Sequence, residues 1–170
     1  LKKHGPGTEL TVISSYPTQP SYIKALVDNI NQGLKNFEDE AVEIVYSAHS
    51  LPVSFIEEGD PYVDHIEETI MAIEKYTGHP GRLCYQSRSG PVEWLSPSTP
   101  EMLESLAAEG CRNILMVPIS FVSDHVETLY EISMLYRKQA EELGMRLLPS
   151  ESLNCHPLFI KGLKELVLQR

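Results

Sequence analysis

Side chains able to move protons or hold a metal ion gather in two short segments of this chain. The apolar run 42–46 delivers Ser47-Ala48-His49-Ser50-Leu51-Pro52, and the apolar run 114–117 delivers Pro118-Ile119-Ser120-Phe121-Val122-Ser123-Asp124-His125-Val126-Glu127. Both runs have the length and composition of buried strands. In an open parallel sheet the loops leaving the carboxyl ends of the strands form the ligand crevice, which places His49 and the group Asp124 to Glu127 on one rim. A histidine facing a carboxylate there can exchange protons near neutral pH or grip a first-row metal ion. His49 and Glu127 are the candidate catalytic pair and candidate metal ligands, with Asp124 and His125 as supporting groups. Glu131 lies one turn beyond Glu127, where two carboxylates repel mildly and a cation between them removes that cost.

Each of these residues also has a plainer reading. His49 serves equally as a loop histidine bonded to local backbone. With Asp124 as N-cap, Glu127 takes the third helical position, and D-x-x-E is then a variant of the capping box that accounts for both acids structurally. The two roles are compatible. The helix dipole favours a carboxylate in the first turn by only about 0.3–1 kcal/mol, which leaves its protonation state to burial and to His125. Phe121 and Trp94 suit a packed core as readily as a ligand platform. Cys84 sits in an apolar strand as a small core residue. Cys155-His156 offers two adjacent donors without partners, where a closed metal site normally takes four. His4, His65 and His79 fall at the terminus, on a solvated helix face and in a turn.

The elements that must position these residues alternate. A β-rich run at 10–14 precedes a helical pattern carrying Ile23, Leu26, Val27, Ile30 and Leu34. After the strand at 42–46, Asp60-Pro61 supplies an N-cap and a first helical proline for a helix with Val63, Ile66, Ile70 and Ile73 on its buried stripe. The turn Gly78-His79-Pro80-Gly81 leads to a strand at 82–86. The loop at 87–98 is long for such a connection and holds Ser87 and the only Trp. Thr99-Pro100 opens a helix that stops at Gly110, and a strand from Ile114 follows. A helix at 124–143, a strand at 145–148 and a terminal helix from Pro157 complete the pattern. Five βα units of this kind predict an α/β fold, a parallel sheet with helices on both faces and sites at its carboxyl edge.

At 170 residues the chain has the size of one domain and can bury a core without disulfides or a structural metal. A formal net charge of -10 and the lack of a Lys/Arg cluster disfavour nucleic acid and anionic membrane surfaces as partners. No apolar run approaches the roughly 18–20 residues that span a bilayer, and no signal-peptide pattern opens the sequence. The expectation is a cytoplasmic protein without a transmembrane segment. Three scattered cysteines fit reduced thiols. The dinucleotide G-x-G-x-x-G, the P-loop signature and the G-x-S-x-G elbow are all missing, which removes the usual signals of those chemistries.

Five segments then converge on one family. S-A-H-S-L-P at 47–52, G-D-P-Y at 59–62, Q-S-R-S-G-P-V-E-W-L at 86–95, V-P-I-S-F-V-S-D-H-V-E-T-L-Y-E at 117–131 and E-S-L-N at 151–154 resemble the carboxyl-terminal half of ferrochelatase, in the right order over nearly the whole chain. That family inserts ferrous iron into a porphyrin late in haem synthesis, in a cleft between two Rossmann-like halves. The resemblance implies that His49 and Glu127 are the active-site histidine and glutamate. It places Phe121, Asp124, His125 and Glu131 at neighbouring cleft positions and has Ser87 and Trp94 help line the porphyrin pocket. It further implies porphyrin (protoporphyrin or coproporphyrin) and ferrous iron as substrates, no firmly bound cofactor, and the N-terminal half of a parent enzyme as partner. Residues 1–170 would then be a single chelatase-like domain at the carboxyl end of that parent, inactive alone, and the parent could associate peripherally with a membrane. An iron-sulfur cluster is not expected, because three scattered cysteines do not complete a four-thiolate site. Leu135, with Ser133 nearby, stands where many relatives carry a third carboxylate, which shortens any acidic path along that helix.

The chemistry asks for these residue types. A porphyrin loses two pyrrole protons as the metal enters, so a base of near-neutral pKa is wanted on one face, and a free imidazole at roughly 6.5 meets that need. His49 is that base or a first ligand of the metal, since the same neutral nitrogen serves either end. Glu127, oriented by His125, would relay protons or guide the cation. Two rivals stand beside this expectation. One is a half-sized chelatase that dimerises to rebuild the cleft, and the other is a tetrapyrrole-binding domain without turnover.

Overall fold

The first helical stripe forms as α1, Pro20–Leu34, in the computed structural model, which describes residues 11–38 and 40–168. Pro20 sits in its first turn, and the Gln19 side-chain oxygen accepts from the Tyr22 N–H at 2.6 Å, so the entry is capped without Ser or Asp. Ile23, Leu26 and Ile30 turn inward. β1, Glu43–His49, ends on the candidate histidine. A short helix α2, Val53–Glu57, and the longer α3, Tyr62–Thr77, carry the chain to β2, Gly81–Gln86. Next come α4, Thr99–Ala108, and β3, Asn113–Pro118. A π-helical segment, Thr128–Tyr136, continues as α5, Arg137–Glu142, and β4, Arg146–Pro149, leads to α6, Pro157–Leu168.

The strands form one parallel sheet in the order β2-β1-β3-β4. Alternation along β1 divides the core in two. Ile44, Tyr46 and Ala48 pack with Leu115 and Val117 against Ile23, Ile30, Ile73 and Phe159 of α1, α3 and α6. Val45, Cys84, Ile114 and Met116 face the other way, against Leu103, Leu106, Ile132, Tyr136 and Ala140. Near-continuous apolar strands are what burial on both faces requires. The chain leaves β1 for β2 on one side and crosses to β3 on the other, so the carboxyl ends of β1 and β3 flank the switch point where open α/β sheets bind ligands.

Among the described residues four strands form, not five. The expected strand at 10–14 is absent: residues 11–14 have no regular structure, and Leu10 lies outside the described residues. Val12 is 66% exposed and Ile13 46%, so the run gains neither a partner edge nor a buried face, and β-branched composition alone does not make a strand. Four βα units preceded by α1 replace the expected five.

Two helix starts also differ. α3 begins at Tyr62, one residue later than Asp60-Pro61 suggests, and Asp60 Oδ1 accepts from the Tyr62 N–H at 2.9 Å. The helix expected from Asp124 becomes regular only at residue 126, and its central nine residues are π-helical. No capping box forms there. Asp124 is taken by Asn154 of the β4–α6 connection, accepting from Asn154 Nδ2 at 3.0 Å and donating its N–H to Asn154 Oδ1 at 2.9 Å. The Glu127 side chain is thereby left for the sheet. A reciprocal capping box does form at α4, between Ser98 and Glu101.

The long loop after β2 is pinned along the segment that follows β1. Leu95 N–H donates to Leu51 O at 3.1 Å and Val53 N–H to Glu93 O at 2.9 Å. Arg88 reaches Leu95 O at 2.6 Å. At the other end of β2, a Cβ on Gly81 would lie 2.5 Å from Tyr46 Cε2 and 2.9 Å from the Ile44 carbonyl oxygen. Gly81→Ala is therefore expected to cost about 1–3 kcal/mol through overpacking. The reading is a lowered denaturant midpoint with an unchanged slope, and an unmoved midpoint would mean that the Tyr46 ring gives way freely.

Candidate active site

β1 delivers His49 at its last position, paired in register with Gln86 of β2. Beyond Ser47 the β3 ladder has ended, and side chains take over the backbone of the histidine. Its N–H donates to Ser120 Oγ at 2.9 Å, and its carbonyl accepts from the Tyr62 hydroxyl at 2.8 Å. Burial pushes the Tyr62 hydroxyl above its ordinary range, which keeps it a donor. The imidazole thus leaves a backbone clamped from two sides.

Glu127 meets the imidazole from the start of the helix after β3. His49 Nδ1 lies 2.8 Å from Glu127 Oε1. The same oxygen receives Ser87 Oγ at 2.5 Å and Gln86 Nε2 at 3.1 Å. Burial by itself would raise this carboxyl, but the hydrogen bonds from Ser87, His49 and Gln86, with the charge of His49, outweigh it and hold the group below the usual carboxylate range. An ionised carboxylate only accepts, so His49 presents an Nδ1–H to it, and the other ring nitrogen, Nε2, is the one left free to exchange a proton. Phe121 stands edge-on to His49, ring centroids 6.2 Å apart, and stacks on His125 at 5.4 Å. A cleft of about 300 Å³ opens here, lined by His49, Leu51, Tyr62, Ser120, Phe121 and Glu127.

Ser87 ties a second carboxylate to the first. It adopts a left-handed backbone, φ 65°, which a serine takes at some cost and which turns its hydroxyl toward the helix. That hydroxyl lies 2.6 Å from Glu131 Oε2 as well as 2.5 Å from Glu127 Oε1. The single hydroxyl proton of Ser87 can point to only one of the two carboxylates at a time. Tyr136 O–H also reaches Glu131 Oε2, at 3.3 Å. The two residues are five apart, the spacing that a π-helix aligns.

The sequence-predicted residues are therefore brought together unequally. His49, Glu127, Ser87 and Phe121 share one site, and Glu131 joins it through Ser87. His125 touches Phe121 rather than the Glu127 carboxylate, and its Nδ1 accepts from the Glu127 N–H at 3.4 Å. Asp124 turns away to Asn154. Trp94 is partly buried, pairs with Pro52 and donates to Gly90 O at 3.4 Å, outside the residues lining the cleft. Among the described residues no group of three or more His, Cys, Asp or Glu side chains is arranged to hold a metal ion. Cys84 is a buried thiol pushed up to about 11 by burial, and His156 Nε2 pairs with Asp28 at 3.1 Å beside an exposed Cys155. Sequence reasoning missed Tyr62, Ser120, Gln86 and Ser47. All four lie inside the segments that carry the resemblance, but their neutral side chains signal no chemistry by type.

The family model described as Ferrochelatase matches residues 1–170. A ferrochelatase of Desulfotalea psychrophila is 63% identical over 169 residues, covering 99% of this chain and 53% of its own length. One from Citrifermentans bemidjiense is 51% identical over 170 residues, with 98% and 54% covered, and one from Nostoc punctiforme is 47% identical over 167, with 94% and 42% covered. The chain spans about half the length of the curated relatives it matches. Among solved structures, the putative cobalamin (vitamin B12) biosynthesis CbiX protein of Marinobacter aquaeolei superposes with a TM-score of 0.55 at 16% identity, covering 75% of this chain and 94% of that one, a likeness of fold. On the family match over its full length and the identity to these relatives, the chain belongs to the ferrochelatase family.

Proposed function

We propose that this chain supplies one wall of the cleft in which an enzyme of haem synthesis inserts ferrous iron into a porphyrin, with His49 as the base. The observation that carries the reading is the His49 Nδ1 to Glu127 Oε1 bond, 2.8 Å long at the switch point of the sheet, which leaves Nε2 as the acceptor. As iron enters, each of two pyrrole N–H bonds breaks and its electron pair goes to the metal. His49 Nε2 takes such a proton, and the ionised Glu127 stabilises the imidazolium that results. The ring returns to neutral by passing the proton to solvent before the second transfer.

Iron is here a substrate that must leave with the product. A set of donors short of a closed cage suits that task, because a four-ligand site would hold the metal against transfer. Glu127 and Glu131, joined through the Ser87 hydroxyl, form the approach for the cation, and His49 is the last protein nitrogen it meets. Phe121 gives the macrocycle an apolar contact beside His49. The cleft of about 300 Å³ lies at the lower end of ordinary ligand pockets, and the chain spans about half the length of its relatives, which together support a second wall contributed by the rest of such a chain.

Four outcomes test this reading. In the full-length protein, His49→Ala is expected to lower kcat for iron insertion by about 100-fold or more, while porphyrin binding, followed by fluorescence titration, survives. Glu127→Gln keeps the shape and should lose rate while remaining folded at the assay temperature, its stability lowered only by the lost carboxylate contribution. Normal turnover by Glu127→Gln would show that the carboxylate carries no chemistry. In acid, the sign follows from a folded-state carboxyl held below its unfolded value. The stabilisation by Glu127 is complete above the usual carboxylate range and is lost as pH falls through the depressed folded value. Glu127→Gln should flatten that part of the acid-unfolding curve, and an unchanged curve counts against an ionised Glu127. The 170-residue chain alone is expected to unfold cooperatively yet insert little iron, and robust insertion by its monomer would show that no second wall is required.

A further inference from the structure

We infer that Gln86 is a positioning residue that sets the Glu127 carboxylate, and through it the His49 ring, by a one-way hydrogen-bond relay that begins at Ser47. This rests on the reading of His49 and Glu127 as the reacting pair. Gln86 is 1% exposed and Ser47 is fully buried. Ser47 Oγ donates to Gln86 Oε1 at 2.6 Å, and Gln86 Nε2 donates to Glu127 Oε1 at 3.1 Å.

The direction of the relay is forced. Glu127 is ionised and can only accept, so the Gln86 amide must present its NH₂ group to it. The amide oxygen then faces Ser47, whose hydroxyl must donate. Reversing the amide would set its oxygen against the Glu127 oxygen, so the carboxylate selects the amide orientation, and the Ser47 hydroxyl, which can donate or accept, follows it. Removing the Ser47 hydroxyl leaves the buried Gln86 Oε1 without the donor that holds the amide in place.

The sheet builds this arrangement from register. Ser47 and His49 are two residues apart on β1 and therefore share a face, and Gln86 is the β2 partner of His49. Its backbone is fixed as well, since Gln86 O accepts from the Ser50 N–H at 2.8 Å. Neither Ser47 nor Gln86 lines the cleft, and both are buried behind it. Ser87 approaches the same Glu127 oxygen from a loop, whereas Gln86 approaches from a strand. Gln86 is thus the rigid one of the two neighbouring donors.

The experiment uses the full-length protein and two readouts. Gln86→Met keeps the side-chain length and deletes both hydrogen bonds. It should lower kcat about tenfold or more with the porphyrin KM unchanged, in line with what a supporting hydrogen bond is worth behind a reacting group. Ser47→Ala, which touches neither His49 nor Glu127, should lower kcat in the same sense, and Ser47→Thr should restore it. The double variant should be no slower than Gln86→Met alone. The ring ¹H–¹⁵N spectrum of His49, which needs no turnover, should show the single Nδ1–H tautomer of the wild type giving way to a mixture in Gln86→Met. Full kcat and an unchanged tautomer in Ser47→Ala and Gln86→Met, whatever their melting temperatures, would overturn the inference. If the wild type inserts no iron but the tautomer still shifts, the proposed reaction falls and the positioning role stands.

Discussion

The site depends on one oxygen atom. Glu127 Oε1 takes hydrogen bonds from the imidazole of His49, the hydroxyl of Ser87 and the amide of Gln86, and these come from two neighbouring strand ends and the loop between them and α4. A half-buried carboxylate without partners would drift toward its neutral form, and a neutral acid could not hold the Nδ1–H tautomer. Three donors reverse that balance. The structure around them, β1 beside β2 and the helix beyond β3, serves to bring the three to one point.

The helix that carries Glu127 is unusual for the same reason. Asp124, the residue best suited to cap it, is bound to Asn154, so the helix starts late and Glu127 is not spent on its own backbone. The π-helical stretch then sets Tyr136 in line with Glu131 rather than with the residue an α-helix would offer. Ser87 closes the gap from the sheet side in a left-handed conformation. Irregular backbone on both sides of the carboxylates is stored cost, and it sits where two acids share one hydroxyl proton.

Legibility in the sequence followed the strength of the local signal. The strands ending at His49 and at Pro118 were plain, because burial on both faces leaves unbroken apolar runs. Residues 11–14 of the β-rich run at 10–14 make no strand, since pairing and burial are tertiary facts that propensity does not contain. His49 and Glu127 were visible as chemical types at strand exits. The D-x-x-E spacing pointed to a capping box that Asn154, thirty positions away, preempts. Tyr62, Ser120, Gln86 and Ser47 could not be ranked from sequence, because a neutral side chain declares its partner only once the fold brings the partner near.

The strands change character as they approach the site. Along β1 the fully buried Val45 and Tyr46 give way to an equally buried Ser47, and along β2 Cys84 and Tyr85 give way to Gln86. Polar groups at that depth cost stability unless each is paired, and here the pairing is consecutive, Ser47 to Gln86 to Glu127 to His49. Apolar residues at 47 and 86 would pack without that demand, and such exchanges of buried polar networks are often neutral or stabilising. The sheet below the rim would lose nothing by the change. Stability and chemistry therefore draw on different stretches of the same strands, and the polar end is explained by the carboxylate it orients rather than by the core it completes.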